Sequence, residues 1–305
     1  MSAHFYSNGK LLLTAEYGVL DGALALAVPT TFGQSLTVEK IDESVIEWIS
    51  RNEQGETWFE AHFDLTHFKT LKTSDAALSN RLEHILKSTF SLKPDLNHTT
   101  QGYCFAATLT FPRNWGLGSS STLINNLAQW AKVNAYTLLQ NTFGGSGYDI
   151  ACAQNNRPIH YQLVQGNPVV ESVFFDPIFK EQLYFIYLNK KQNSREAISN
   201  YRQQDFDTET FIAEISELTL KITSEPHFEA FGKYLKQHEE LLSEVLGVTP
   251  VKEQLFPDYF GTIKSLGGWG GDFVLATGDK KTPDYFKAKG FDVVISYQDM
   301  VLEHS

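Results

Sequence analysis

Polar and apolar positions alternate with a period of two from Thr31 to Leu65, the pattern of half-buried strands, with Gly33 and Gly55 as turn points. Ahead of this stretch, Gly9 to Leu20 joins a short apolar strand to a run of small residues. A second apolar stretch, Ala23 to Val28, closes at Pro29, which outlines a hairpin. The period changes to 3.6 over Asp75 to Leu92, where Leu78, Leu82, Ile85, Leu86 and Phe90 share one face and Glu83 and His84 fall on the solvated side. A strand-like run from Tyr103 to Phe111 enters the loop Pro112–Thr122. Apolar residues then recur at 123, 124, 127, 128, 131, 135, 138 and 139, which predicts a helix. Further along come a strand pair (His160 to Leu163, Glu171 to Phe175) and a strongly apolar strand (Leu183 to Leu188). Two helices follow (Phe211 to Ile222, and Phe228 to Leu246 after Pro226), then a short helix at Pro283 to Lys289 and a strand at Phe291 to Tyr297. Strands and helices mixed in this way predict an α+β fold, with a domain boundary near 175–182.

Composition narrows the classes of partner. The net charge of −11, from 36 acids against 25 bases, excludes non-specific binding to nucleic acid or to an anionic membrane surface. No apolar run approaches the ~20 residues of a membrane span. The N-terminus lacks the charged start and apolar core of a signal peptide, so a cytoplasmic protein is expected. Cys104 and Cys152 lie in apolar surroundings and are expected to be free thiols. The Cys and His residues show no zinc-ligand spacing.

Candidate chemistry centres on Pro112-Arg113-Asn114-Trp115-Gly116-Leu117-Gly118-Ser119-Ser120-Ser121-Thr122. Gly116 and Gly118 remove Cβ atoms that would keep the backbone from closing around a phosphate, and the following helix turns its positive end toward an anion. A tight turn with a serine N-cap reads equally well from these residues alone. The loop is not a Walker A motif, because no Gly-Lys-Ser/Thr follows. Downstream, Gly144-Gly145-Ser146-Gly147-Tyr148-Asp149 is either a loop with an Asx turn or a carboxylate held for chemistry. Asn189 to Ala197 carries Lys190, Lys191 and Arg195, three cations on an acidic chain that could neutralise a phosphorylated acceptor or simply be solvated. Four glycines crowd Gly267-Gly268-Trp269-Gly270-Gly271 ahead of a strand.

Pro-x-x-x-Gly-Leu-Gly-Ser-Ser resembles the nucleotide loop of the GHMP kinase superfamily, which includes galactokinase, homoserine kinase, mevalonate kinase and phosphomevalonate kinase. Gly9-Lys10 through Ala15-Glu16-Tyr17-Gly18-Val19-Leu20 resembles the family's first motif in its phosphomevalonate kinase form. Ser146-Gly147-Tyr148-Asp149 resembles the segment that supplies the catalytic aspartate, and Leu266 to Asp272 the third motif with Gly-Gly-Asp. The resemblance implies two domains, 1–178 similar to ribosomal protein S5 domain 2 and 179–305 ferredoxin-like. It implies transfer of the γ-phosphoryl group of ATP, with Mg²⁺, to a small mevalonate-type acceptor. 5-Phosphomevalonate is the first choice, mevalonate the second, and a catalytically silent nucleotide binder the alternative from another class; a homodimer is a family expectation. Carried over residue by residue, Lys10 and Asp149 would be catalytic. Pro112, Gly116, Leu117, Gly118, Ser119, Ser120 and Ser121 would hold the nucleotide, with Ser120 on the metal. Glu16, Tyr17, Ser146, Gly147, Ser194, Gly268, Gly270 and Gly271 would contact substrate. Two departures stand out. Trp269 sits where the family usually has a small residue. No carboxylate lies between Ser119 and Gly147, where mevalonate kinases place a Mg²⁺-binding glutamate.

Overall fold

The computed structural model describes residues 2–98, 101–192 and 194–302, and of residues 97, 98, 194 and 195 the backbone alone. The chain forms two compact units. The first comprises the chain up to Gly9, Phe32–Arg113 and Leu117–Gln154; the second comprises Lys10–Thr31, Asn114–Gly116 and the chain from Asn155 onward.

In the first unit, β1 (Ser2–Leu12) pairs with β2 (Ala25–Ile41), and the second half of β2 pairs antiparallel with β6 (Gly102–Leu109). Next to β6 runs β3 (Val45–Arg51) in parallel, followed by β4 (Thr57–Asp64) and β5 (Thr70–Thr73), both antiparallel. Helices α1 (Ala76–Leu92), α2 (Ser119–Ala131), α3 (Ala135–Gln140) and α4 (Tyr148–Gln154) accompany this sheet. The alternation in the strands delivers Leu36, Val38, Ile46, Trp48, Phe63 and Phe105 to one core, where they meet Leu82, Leu86 and Phe90 of α1 and Ile124 and Leu127 of α2. Asp75 caps α1 by accepting from the N–H groups of Ala77 and Leu78 at 2.9 and 3.0 Å.

Three expectations are corrected here. β2 is one strand of 17 residues that neither closes at Pro29 nor turns at Gly33. Pro29 lacks a ladder donor, but its carbonyl accepts from Leu302 N–H at 2.9 Å. Gly33 serves close packing, since a Cβ there would strike the Ser7 carbonyl and the Tyr6 ring of β1. The helix after the glycine loop is two helices, because Lys132 takes a left-handed conformation (φ 57°) and Asn134 caps a fresh start by accepting from Thr137 N–H at 3.0 Å.

In the second unit, the start of β2 pairs with β7 (Ile159–Val164), which pairs with the edge strand β8 (Asn167–Ser172). A separate antiparallel sheet has the order β10-β11-β9-β12, from β9 (Leu183–Tyr187), β10 (Ile263–Ser265), β11 (Phe273–Thr277) and β12 (Val294–Ser296). Its helices are α5 (Ser194–Tyr201), α6 (Thr208–Ser224), α7 (Phe228–Leu246), α8 (Val251–Leu255), α9 (Thr282–Ala288) and α10 (Tyr297–Met300). The expected last strand is thus shortened: Ser296 accepts from Asp299 N–H at 3.2 Å and starts α10 instead. Every residue of β9 is buried, as its continuous apolar run requires. A large mixed sheet plus a smaller one gives the expected mixture of α and β. No helix among the described residues is long and apolar enough to cross a membrane.

Candidate functional site

Three separated motifs meet in the second unit. Gly116, with φ 72°, lies so close to Asp272 that a Cβ on it would stand 2.5 Å from the aspartate's Cγ. Asp272 itself is held at φ 51°, and one carboxylate oxygen accepts the Gln192 N–H at 3.1 Å. Burial pushes its pKa up, while that hydrogen bond and the charges of Lys10 and Lys191 pull it down. Lys10 of the first motif, Gly116 of the second and Asp272 of the third are therefore neighbours. Lys10 lies within β1, near its end.

The third glycine loop is clamped by Gln192. Its side-chain amide donates to the Trp269 carbonyl at 2.6 Å, and its Cγ and Cβ leave no room for a Cβ on Gly268. A side chain on Gly271 would strike the Lys190 carbonyl, and Gly270 takes φ 75°. Trp269 is buried at φ 49°, and its indole N–H has no acceptor among the described residues. Trp115 and Phe273 stack edge to face with ring centroids 5.6 Å apart.

Beneath this loop sits a buried ionisable cluster. Glu16 is 1% exposed, and one of its oxygens receives the ammonium of Lys264, which is 0% exposed. The same ammonium donates to the Ser265 carbonyl at 2.9 Å. Glu239 accepts from Ser265 N–H at 2.8 Å and from its hydroxyl at 2.7 Å. His238 Nε2 accepts the Ala15 N–H at 2.8 Å, which assigns the ring proton to Nδ1. Nε2 therefore gives no ion pair to Glu16, 3.7 Å away, and burial and Lys264 hold the ring's pKa well below the usual histidine value. Burial pushes Glu239 up to about 7 despite Lys264 and Ser265, and it raises Glu16 as well. His238 is wholly buried, because α7 packs that face against the Ala15–Glu16 turn. Tyr17, at φ 62°, is buried and stacks on Tyr201 at 5.4 Å; burial, Glu16 and Asp272 raise its hydroxyl pKa.

In the first unit, the helix after the glycine loop begins at Gly118 (φ 91°), and no side chain caps it. The serine-cap reading is thus set aside. The hydroxyls of Ser121 and Thr122 turn back to the Gly118 carbonyl, both at 3.1 Å, whereas those of Ser119 and Ser120 make no hydrogen bond among the described residues. Pro112 precedes the loop half-buried, and Leu117 is buried in it. Thr122 also donates to Gln34 Oε1 at 2.8 Å. Asn126 donates to the Gln34 carbonyl at 2.9 Å and accepts from Ser7 at 2.7 Å, and Asn125 donates to Ser7 at 2.8 Å. This buried amide and hydroxyl network fixes the start of α2. Asp149 stands half-buried in the first turn of α4, after buried Ser146 and Gly147 at φ 90°. Ser194 begins α5, but its side chain and that of Arg195 lie outside the described residues.

By sequence, no family model and no curated protein matches the chain. By structure it is similar to the mevalonate kinase of Methanococcus jannaschii, with 15% identity and a TM-score of 0.73 over 100% of this chain and 99% of that one. The chain has the GHMP kinase fold. It is likewise similar to Streptococcus pneumoniae phosphomevalonate kinase, solved with phosphomevalonate and AMPPNP: 15% identity, TM-score 0.69, 94% of this chain and 95% of that one. Lactococcus lactis galactokinase, solved with galactose, gives 16% identity and a TM-score of 0.69 over 95% of this chain and 89% of that one.

On this GHMP kinase fold, sequence reasoning placed Asp272 in the third motif without giving it a role, and it missed Gln192, Lys264, His238 and Glu239 as parts of the site's support. Glu16 faces into the protein toward Lys264, not toward an open surface.

Proposed function

We propose that the protein is an ATP-dependent small-molecule kinase that transfers the γ-phosphoryl group to a mevalonate-type acceptor, with 5-phosphomevalonate as the acceptor of first choice. The convergence of Lys10, Gly116 and Asp272 carries this reading, because it joins one residue from each of three motifs that the sequence keeps far apart. The fold shared with mevalonate-pathway kinases agrees with it. The acceptor rests on the Glu16-Tyr17 and Gly271-Asp272 forms of the motifs; mevalonate is the runner-up within the same isoprenoid chemistry.

In this proposal, backbone N–H groups from Gly116 to Ser121 face the nucleotide phosphates at the uncapped start of α2. Among the described residues no cluster of acidic, histidine or cysteine side chains is arranged for a metal. The donor set nevertheless fits Mg²⁺ carried on phosphates and water, with the exposed Ser120 hydroxyl, which has no partner among the described residues, as its protein ligand. Bound there, the cation would shield the phosphate charge. Asp149 orients the acceptor hydroxyl and takes its proton, and Lys10 stabilises the transferring group. Ser146, Gly147, Ser194, Gly268, Gly270 and Gly271 frame the acceptor, and Lys191 adds positive charge near Asp272. Glu16 and Tyr17 act from behind as supports. Residues 1–178 and 179–305 are the two domains this reading implies, and the cytoplasm is the proposed location.

An ADP-release assay with Mg-ATP against 5-phosphomevalonate, mevalonate, galactose and homoserine tests it. Turnover on 5-phosphomevalonate is expected, and Asp149→Asn should lower kcat far more than ATP affinity, because positioning and electrostatics carry phosphoryl transfer. ATP binding with no turnover on any acceptor would favour the silent binder. An unchanged kcat in Asp149→Asn would remove that residue's role.

A further inference from the structure

The hairpin β7–β8 presents an open edge. All six residues of β8 are exposed, and β8 ends its sheet. Val169 and Val170 are solvent-facing, and just beyond them Phe174 and Ile178 are 86% and 85% exposed. Edges of this kind invite a further strand unless charge or proline blunts them. The chain as a whole carries a net charge of −11, which drives copies apart, but between Tyr161 and Phe175 the only charged side chain is Glu171.

The direction of the free backbone groups follows from the ladder. Val173 N–H donates to the Pro158 carbonyl at 2.9 Å, so Val173 and, alternating back from it, Glu171, Val169 and Asn167 point their hydrogen-bonding groups inward to β7. Pro168, Val170 and Ser172 point theirs outward. The proline thus occupies a position where no N–H is needed for the hairpin, and its carbonyl remains as an outward acceptor.

We propose that this edge is an interface to a second copy of the chain, formed by antiparallel pairing of β8 with itself about a two-fold axis at Val170. In that register Val170 exchanges both of its backbone bonds with Val170 of the second copy, and Ser172 N–H donates to the Pro168 carbonyl opposite. Phe174 falls against Gly166 of the second copy, where the space beside the glycine is open. A register centred one residue on, at Glu171, would set two glutamates side by side in a close, non-hydrogen-bonded pair, and like charges there are repelled. Centred at Val170, Glu171 instead faces Val169. Charge therefore selects the register, and the contact is isologous, so it closes at two copies and does not run on as a filament.

Sedimentation velocity of the full chain from about 1 to about 200 μM tests this, with dimer expected to build up across the range. Val170→Pro removes only an outward N–H and should leave the melting curve intact while abolishing the dimer. Val169→Lys, set opposite Glu171, should tighten the dimer about five-fold, and Val169→Asp should weaken it by a similar factor. A monomer at every concentration would overturn the proposal. So would a dimer unmoved by Val170→Pro, or one shifted in the same direction by both Val169 variants. If Val170→Pro fails to fold by circular dichroism, the opposed pair at Val169 decides alone.

Discussion

Each unit holds a buried polar network beside its own motif residues, and the two are built from different chemistry. In the first unit, Ser7, Gln34, Thr122, Asn125 and Asn126 hold the start of α2 through neutral amides and hydroxyls. In the second unit, Glu16, Lys264, His238, Glu239 and Ser265 hold the third glycine loop through charges. Among the buried side-chain atoms without a partner, Glu16 Oε2 and His238 Nδ1 belong to the charged network, and none belongs to the neutral one. Amides and hydroxyls can be satisfied completely and do not titrate. Charges give stronger single contacts but leave desolvated groups behind and make the region answer to pH.

The largest effect should come from breaking the charged network. Lys264→Met leaves Glu16 buried and unpaired, which is expected to reduce stability by about 3–5 kcal/mol in denaturant unfolding at pH 7. A change below 1 kcal/mol would show that the pair is dispensable.

Next comes the pH response. The folded value of Glu239, about 7, lies above its ordinary carboxylate value, so the folded state binds the extra proton between them. Stability from this group is full below about pH 4.5, falls as pH rises toward 7, and stays low above that, a swing of roughly 3 kcal/mol at most. Glu16 is raised too and acts with the same sign. His238, held neutral, acts in the opposite sense, withdrawing stability as pH falls below the ordinary histidine value. Lys264 is the cation that all three face. Glu239→Gln can still accept from Ser265 N–H and donate to its hydroxyl, so it imitates the protonated acid. Thermal melts from pH 5 to 8 should show a flatter profile for this variant than for the parent, with the two converging at the acid end.

Asn126→Ala in the neutral network should reduce stability by about 1–3 kcal/mol, because the Gln34 carbonyl and the Ser7 hydroxyl lose buried partners. The loss should be the same at pH 5 and pH 8. A pH-dependent loss would erase the contrast between the networks. Smallest is Thr122→Val, expected to reduce stability by about 1 kcal/mol, with the effect on nucleotide affinity exceeding that on overall unfolding if the network's task is to aim the start of α2.

Much of this architecture was legible from residue order. Helix α1 was readable from its period and from Asp75, whose capping bonds are local. The break after Ala131 was not, because lysine gives no advance sign of a left-handed turn. Gly33 looked like a turn when it was an accommodation to a neighbouring strand, a distinction that depends on a partner remote in sequence. Lys264 was hidden for the same reason: its partner Glu16 lies 248 positions away, and a charged residue in a strand ordinarily signals solvent. The motif residues stood out because close backbone approaches demand glycine locally, whatever surrounds them.

Trp269 gives the third glycine loop a built-in optical reporter. An indole shut away from water emits at short wavelength, and one whose N–H finds no acceptor is poised to respond once solvent or a bound oxygen reaches it. Against Trp269→Phe as the blank, any change around this indole on adding nucleotide could be followed in a stopped-flow fluorimeter without attaching any dye.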